Sequence, residues 1–74
     1  MPPLPVLKPR EVVRALERAG FVHVRQIGSH ARMVRSGAYV TVAMHREDIA
    51  RGTLKSILSQ AGMTADEMLE LLGK

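Results

Sequence analysis

Residues 21–43, FVHVRQIGSHARMVRSGAYVTVA, contain three short runs that mix apolar with polar residues, and two breaks separate these runs. The first break is Gly28-Ser29-His30, and the second is Ser36-Gly37, which has the composition of a hairpin turn. β-branched content and a partial alternation of apolar with polar residues favour strands in such runs. The stretch therefore predicts three strands, at residues 21–27, 31–35 and 38–43.

A helical pattern precedes the strands. Pro9 suits the first turn of a helix, and Gly20 is placed to end it. The residues before this helix, 1–8, are expected to form a Pro-rich, extended leader. The remaining residues, 9–74, are enough for one domain, and we expect a single one. We expect four apolar residues in the core, two from this helix and two from a later helical segment: Val12, Leu16, Ile57 and Leu58.

Two further helices are predicted after the strands. A polar connection, residues 44–52, could hold a short helical turn, and it leads to a helix over about residues 53–61 that Gly62 caps. Thr64 and Glu67 have the spacing of a capping box, which opens a short acidic helix. This order predicts an α+β fold: two layers in the order α-β-β-β-α, with a short extra C-terminal helix.

Strand alternation assigns side chains to two faces of the sheet, because successive residues of a strand point to opposite sides. We expect five apolar residues to face the helices: Val22, Val24, Met33, Val40 and Val42. The opposite, open face is then expected to hold His23, Arg25, His30, Arg32, Tyr39 and Thr41. Three apolar residues also fall outwards in this assignment: Phe21, Ile27 and Val34. Either they lie at strand ends, or the register is off by one.

The middle of the chain is strongly cationic. The 74 residues carry 11 Lys and Arg against 7 Asp and Glu, and no acidic residue lies between Glu17 and Glu47. That stretch holds five arginines and all three histidines. A cationic surface of this kind is typical of proteins that bind phosphate ligands, nucleic acids among them.

Composition disfavours several other classes of protein. The chain has no cysteine, so disulfides and thiolate metal sites are excluded. Its histidines have no partner at metal-ligand spacing, and we therefore expect neither a metal nor another cofactor. No apolar run approaches the roughly 20 residues needed to cross a bilayer. We expect a cytoplasmic protein with no membrane partner.

RNA cleavage by transesterification needs little catalytic equipment. The 2′-hydroxyl of RNA is the nucleophile, so the protein has to supply a general base, a general acid and positive charge. Histidine changes protonation near neutral pH, and arginine binds phosphate oxygens with a fork of N–H groups. His30, which follows a glycine turn and precedes Arg32, fits this division of labour. The residues alone also allow an exposed histidine with no catalytic role.

Four runs from Pro9 onward occur in the order and spacing of a known family: Gly20-Phe21, Arg25-Gln26-Ile27-Gly28-Ser29-His30, Val42-Ala43-Met44-His45 and Gly52-Thr53-Leu54-Lys55-Ser56-Ile57-Leu58-Ser59-Gln60-Ala61-Gly62. With these runs the chain resembles the HicA family of toxins, small messenger-RNA interferases of type II toxin–antitoxin pairs. The resemblance implies a fold like the double-stranded-RNA-binding domain, RNA cleavage with His30 as the catalytic residue, and neutralisation by a HicB-type antitoxin. One residue departs from the family pattern: Ala43 stands where the family usually has a proline, two residues before its second histidine, here His45.

Other residues near His30 each have a functional and a structural interpretation. Gly28 supplies the backbone freedom of the turn. Possible acid–base or RNA-contact residues are His45, Ser29, Arg25, Arg32, Thr53 and Lys55. As alternatives, His45 is a connector residue, Ser29 bonds the local backbone, and the arginines are solvated. Thr53 and Lys55 begin the second helix, where free N–H groups attract phosphate, but capping and solubility explain them as well.

Three functions remain open. The first is a metal-independent endoribonuclease acting on messenger RNA, with a HicB-type antitoxin that covers the basic face and His30. The second is a non-catalytic double-stranded-RNA-binding module, and the third is an interaction protein whose basic face serves an acidic partner. With one Phe and one Tyr, the chain lacks the aromatic platform on which a base-stacking RNA reader depends.

Overall fold

The computed structural model describes residues 4–73. It contains three helices and three strands within that range: α1 (Pro9–Arg18), β1 (Val22–Ile27), β2 (His30–Arg35), β3 (Ala38–Ala43), α2 (Arg51–Ala61) and α3 (Ala65–Leu71). The predicted α+β class and the α-β-β-β-α order with a short C-terminal helix are confirmed. The first three residues of the predicted leader and Lys74 of the predicted domain lie outside the described residues.

The strands form one antiparallel sheet in the order β1-β2-β3, and the helices pack on one of its faces. The core between the layers is apolar, since no polar or charged residue is buried among the residues described. All four predicted core residues, Val12, Leu16, Ile57 and Leu58, are buried. They pack with other buried residues of both layers: Leu7, Ala15, Phe21, Met33, Val40, Val42, Leu54, Ala61, Ala65 and Met68.

Two tight turns set the register of the sheet. Gly28 and Ser29 connect Ile27 to His30, and the positive φ of Gly28 (58°) at the first central position is the pattern of a type II′ turn. Ser36 and Gly37 connect β2 to β3, and both have positive φ (44° and 84°), as a type I′ turn requires. Both turns suit the right-handed twist of paired strands, so the three strands stay aligned without longer loops.

Helix ends agree with the sequence signals at most positions. α1 begins at Pro9 and its cap at Ala19 is followed by Gly20 with φ 97°. Gly62, with φ 68°, caps α2 as predicted. The predicted capping box of α3 is confirmed: the amide of Glu67 donates to Thr64 Oγ1 at 3.1 Å, and the amide of Thr64 donates to Glu67 Oε1 at 2.9 Å.

The start of α2 was predicted too late. The helix begins at Arg51 rather than about Thr53, and the connection before it contains no helical turn. Its N-cap residue is Ala50, which has no side-chain hydrogen bond to the helix. Alanine is a poor N-cap, so the sequence carried no local signal for this boundary.

The end of the Pro-rich leader joins the core. Leu7 is buried, and its carbonyl accepts a hydrogen bond of 2.8 Å from the amide of Ile49, in the connection between β3 and α2. Lys8 Nζ adds an ion pair of 2.9 Å to Asp48 and a hydrogen bond of 3.1 Å to the Arg46 carbonyl. The leader therefore holds the β3–α2 connection against the start of α1.

The inward side of β1 was predicted wrongly. Val22 and Val24 do not face the helices but are 61% and 56% exposed, and all six residues of β1 are exposed. The pairing with β2 is irregular between His23 and Arg25, so Val24 has no partner. This bulge shifts the alternation by one residue: Val22 pairs with Val34 on the outer side, and His23 pairs with the buried Met33.

The face assignment of β2 and β3 is confirmed. Met33, Val40 and Val42 are buried under the helices, together with Ala31. Of the three apolar residues expected to fall outwards, Phe21 lies just before β1 and is buried. Arg35 contacts Phe21 from the sheet, with Cζ 4.8 Å from the ring centroid, and Arg35 Nη1 donates to the Ala19 carbonyl at 2.6 Å.

Within residues 4–73, no helix is long and apolar enough to span a membrane.

Replacing Ser36 with Asn should stabilise the fold. Ser36 has φ 44°, a left-handed conformation that costs an ordinary L-residue roughly 1–2 kcal/mol and that Asn adopts more readily. We expect the free energy of unfolding to rise by roughly 0.5–1 kcal/mol and the Tm by about 2–8 °C in thermal denaturation. Ser56→Asn, on the exposed side of α2, is the control and should give no increase. An unchanged or lower Tm for Ser36→Asn would contradict the turn assignment.

Candidate functional site

The outer sheet face, the side turned away from the helices, is ordered in three cross-strand rows. Residues directly paired in an antiparallel sheet share a face, so the register defines these rows. The histidine row is Ile27, His30 and Ala43; the basic row is Arg25, Arg32 and Thr41; the apolar row is Val22, Val34 and Tyr39. The basic row therefore lies between the histidine row and the apolar row.

His30 is the first residue of β2 and follows the Gly28-Ser29 turn directly. It is exposed, and its ring makes no hydrogen bond to any residue between 4 and 73. The backbone around it is fixed, because His30 pairs with Ile27 and Ala43, and the Met44 amide donates to the Ser29 carbonyl. A paired backbone thus presents an exposed imidazole.

Arg32 is held on the outer face by Tyr39. Arg32 Nη1 donates to the Tyr39 hydroxyl, and Arg32 Cζ lies 5.5 Å from the centroid of the tyrosine ring. Arg32 Nε is buried and has no hydrogen-bond partner among the described residues. Stacking and hydrogen bonding restrict the guanidinium to one orientation, which lowers the entropy lost when it binds a phosphate.

No carboxylate among residues 4–73 neutralises the charge of the basic row. Arg25 is exposed and Arg32 is half-buried. The only ion pair in residues 4–73 joins Lys8 to Asp48, in a different part of the fold. Two guanidinium groups one strand apart, beside an exposed histidine, form a surface that attracts anionic ligands.

The predicted residue His23 does not belong to this surface. It was expected on the outer face, but the bulge puts it in register with Met33, on the helix side of the sheet. It remains exposed because the helices do not cover β1, and its Nε2 lies 3.1 Å from the Arg25 carbonyl. The structure therefore brings together Arg25, His30, Arg32, Tyr39 and Thr41 of the six residues predicted there.

His45 lies at the same end of the molecule as His30 and lines two depressions at the helix starts, the second of which also includes Ala43 of the histidine row. It follows β3, one residue after Met44, which hydrogen-bonds to Ser29. Its side chain lines an open depression of about 330 Å³ with Lys8, Pro9, Arg10, Met44 and Arg46 at the start of α1. A second depression brings it together with Thr53 of α2. Sequence reasoning missed Lys8, Arg10 and Arg46 here, because only the tertiary contact of the leader with the β3–α2 connection places them beside His45.

The start of α2 differs from the predicted phosphate site. Because the helix begins at Arg51, its free amides are those of Arg51, Gly52 and Thr53, while the Leu54 amide already donates to the Ala50 carbonyl at 2.9 Å. Thr53 thus stays in the first turn, but Lys55 lies beyond it. Both side chains are exposed, and neither lies in a row of the outer sheet face.

The remaining predicted residues shape the turn before His30. Gly28 has φ 58°, which explains the glycine, and Ser29 is half-buried with its carbonyl bound by Met44. Across residues 4–73, no three His, Asp or Glu side chains are grouped in a way that could hold a metal ion. The histidine row and the basic row are therefore the part of the fold best suited to phosphate chemistry.

Comparison with known proteins places this arrangement in a family. A family model described as "HicA toxin of bacterial toxin-antitoxin" matches residues 9–63. The match spans α1, the whole sheet and α2, and so includes every row of the outer sheet face. No curated protein matches the chain significantly.

Replacing Arg25 or Arg32 with Ala should weaken binding of a single-stranded nucleic acid. Each unpaired guanidinium that contacts one phosphate contributes about 0.7 to the slope of log affinity against log salt concentration. We expect each variant to lower that slope by about this amount, measured by fluorescence anisotropy with a 2′-O-methyl RNA that cannot be cut.

The matched control is Arg14→Ala, which removes an exposed arginine from α1 in the helix layer. Its slope should equal that of the wild-type chain. An equal decrease of the salt slope in Arg14→Ala and Arg25→Ala would show that net charge, and not the basic row, governs binding.

Proposed function

Since the chain belongs to the HicA toxin family of bacterial toxin–antitoxin systems, we propose that it is an endoribonuclease that cleaves messenger RNA with His30 as its catalytic residue. The observation that carries this proposal is the row arrangement of the outer sheet face. An exposed histidine on a paired backbone lies one row from two arginines that form no ion pair within the described part of the chain.

The basic row would bind the scissile phosphate. Arg32, oriented by Tyr39, directs its remaining N–H groups at a nonbridging oxygen, and Arg25 on the neighbouring strand adds a second positive charge. Negative charge grows on the phosphate oxygens as the pentacovalent phosphorane forms. Fixed guanidinium groups stabilise that charge more in the transition state than in the ground state, which is how binding becomes catalysis.

His30 would carry out proton transfer at the same phosphate. The 2′-oxygen of the RNA forms a bond to phosphorus as its proton leaves, and the bond from phosphorus to the 5′-oxygen breaks as that oxygen gains a proton. The products are a 2′,3′-cyclic phosphate and a 5′-hydroxyl. The imidazole of His30, which is exposed and lies one row from the arginines, would take the proton of the 2′-hydroxyl or give a proton to the 5′-oxygen, and water at the open sheet face would serve the other oxygen.

The reaction in this form is metal-independent. Its nucleophile belongs to the substrate, so no metal-bound water has to be generated, and the arginines supply the charge that a metal ion would otherwise provide. His45 lines the depression at the helix starts, and a catalytic part for it is not needed in this scheme.

A toxin of this family acts together with an antitoxin. We infer that the antitoxin is of the HicB type and neutralises the toxin by covering the basic face and His30. Messenger RNA is the substrate, so the cytoplasm is where both proteins would act. The basic middle of the chain provides electrostatic attraction for an acidic partner as well as for RNA.

His30→Ala should abolish RNA cleavage and growth inhibition together. Removal of a general acid–base group typically lowers the rate by about a hundredfold or more. His30 is exposed, so we expect the variant to fold like the wild-type chain, which circular dichroism checks. The measurements are growth after induced expression and gel analysis of a reporter RNA.

His23→Ala is the matched control, because it removes another exposed histidine that lies outside the rows. It should cut RNA at the wild-type rate. Full activity of a folded His30→Ala would refute the catalytic assignment, and a folded wild-type chain that binds duplex RNA without cutting it would favour the non-catalytic binding module.

The mechanism also predicts how cleavage depends on the substrate. Cleavage of a reporter RNA should continue in excess EDTA, and a single 2′-deoxy substitution at the scissile nucleotide should stop it, because the attacking group is gone. The same oligonucleotide substituted one nucleotide away serves as the control. Cleavage at the deoxy position, or its loss in EDTA, would exclude attack by the 2′-hydroxyl without a metal.

A further inference from the structure

One edge of the sheet is covered by a helix, and the other edge is open. At the β3 edge, α2 lies alongside, and the Thr41 amide donates a hydrogen bond of 3.4 Å to Gln60 Oε1. At the β1 edge, none of the six residues is buried, and β1 pairs only with β2 among the described residues. An uncovered edge strand presents unpaired backbone groups that can accept another strand.

The side chains of β1 are unusual for an exposed edge. Val22, Val24 and Ile27 are 61%, 56% and 45% exposed. Proteins commonly protect such an edge with lysine, proline or a bulge. Here the bulge lies between His23 and Arg25, so it disturbs only the first half of the strand. The second half, Arg25 to Ile27, is regularly paired with β2 and stays open on its other side.

The hairpin geometry defines which backbone groups are open. Ile27 and His30 flank a two-residue turn, so they form the pair that exchanges both hydrogen bonds. In an antiparallel ladder such pairs alternate with pairs that point away from each other. The backbone N–H and C=O of Gln26 therefore point away from β2, towards solvent at the open edge.

We propose that the antitoxin adds a β-strand to the β1 edge alongside Arg25–Ile27, and that it inhibits the toxin by placing an acidic side chain in line with the basic row. This inference rests on the proposed function, because it specifies how the RNA-cleaving surface is covered. A fourth strand extends each row by one position. The position beside Arg25 belongs to the row of Arg32 and Thr41, and the position beside Ile27 belongs to the row of His30.

The positive charge of β1 determines what kind of strand can pair with it. Residues 18–46 contain no Asp or Glu, and β1 itself carries Arg25 and His23. A second copy of this chain would bring an equally basic strand against β1, and like charges on paired strands destabilise a sheet. The strand that fits has a carboxylate opposite Arg25, where it occupies the position of a phosphate, and an apolar residue opposite Ile27.

Two substitutions at one position test the backbone contact. Gln26→Pro removes the outward N–H and leaves the bonds to β2 in place, since proline is tolerated where an edge N–H faces solvent. Gln26→Ala is the matched control, because it changes the side chain and keeps the N–H. Neither variant alters the histidine row or the basic row, so both should cleave the reporter RNA like the wild-type chain.

The probe is the protein encoded by the gene adjacent to this one, purified and titrated onto each folded variant in a calorimeter. We expect Gln26→Pro to bind about tenfold more weakly or worse, and Gln26→Ala to bind within about twofold of the wild-type chain. We also expect amide hydrogen exchange at Gln26 to slow by about tenfold or more in the wild-type complex.

Several results would overturn the inference. They are equal binding of all three chains, equal weakening by the proline and the alanine, unchanged exchange at Gln26, absence of binding by the wild-type chain, and a homodimer of the free chain that Gln26→Pro disrupts. The nuclease assay is read separately. If no chain cuts RNA but the binding and exchange results hold, the proposed function fails and the strand addition stands.

Discussion

The orientation of β2 determines the rest of the structure. Ala31 and Met33 are buried under the helices, at 1% and 0% exposure, so the residues between and beside them must face outwards. A slip of one residue would bury His30 and Arg32, and an unpaired charge in an apolar core costs several kcal/mol. The two tight turns on either side of β2 transmit this orientation to β1 and β3. The same burial that stabilises the fold thus assembles the basic row beside the exposed histidine.

The helix layer supports this surface from behind and adds a second basic region. α1 and α2 cover β2 and β3, while the end of the leader holds the β3–α2 connection through Leu7 and Lys8. That connection carries His45 to the helix starts, where it lines one depression with Lys8 and Arg10 and a second one with Ala43 of the histidine row. The helices also leave β1 exposed along its whole length.

Much of the fold follows from local sequence signals, and the errors have identifiable physical causes. The element order, the buried faces of β2 and β3, the turn at Ser36-Gly37 and the capping box at Thr64 depend on alternation, backbone conformation or a cap, which nearby residues encode. The bulge at Val24 does not, because it arises from pairing with β2, and it reversed the predicted sides of Val22 and His23. The late start predicted for α2 reflects Ala50, an N-cap without a side-chain signal. The family resemblance is confirmed, and the roles of His30, Arg25 and Arg32 stay predictions that follow from the register.

If the proposed function is right, RNA lies on the outer sheet face, across the basic row and His30. Chemical-shift mapping tests it most directly: a ¹⁵N-labelled wild-type chain is titrated with a short RNA that carries a 2′-deoxy substitution at the scissile position. We expect the largest shifts to follow the rows, at Arg25, His30, Arg32 and Thr41, and the exposed helix residues Arg14 and Glu70 to stay unaffected. Shifts concentrated on α1 and the start of α2, with the resonances of the outer sheet face unchanged, would show that RNA binds elsewhere.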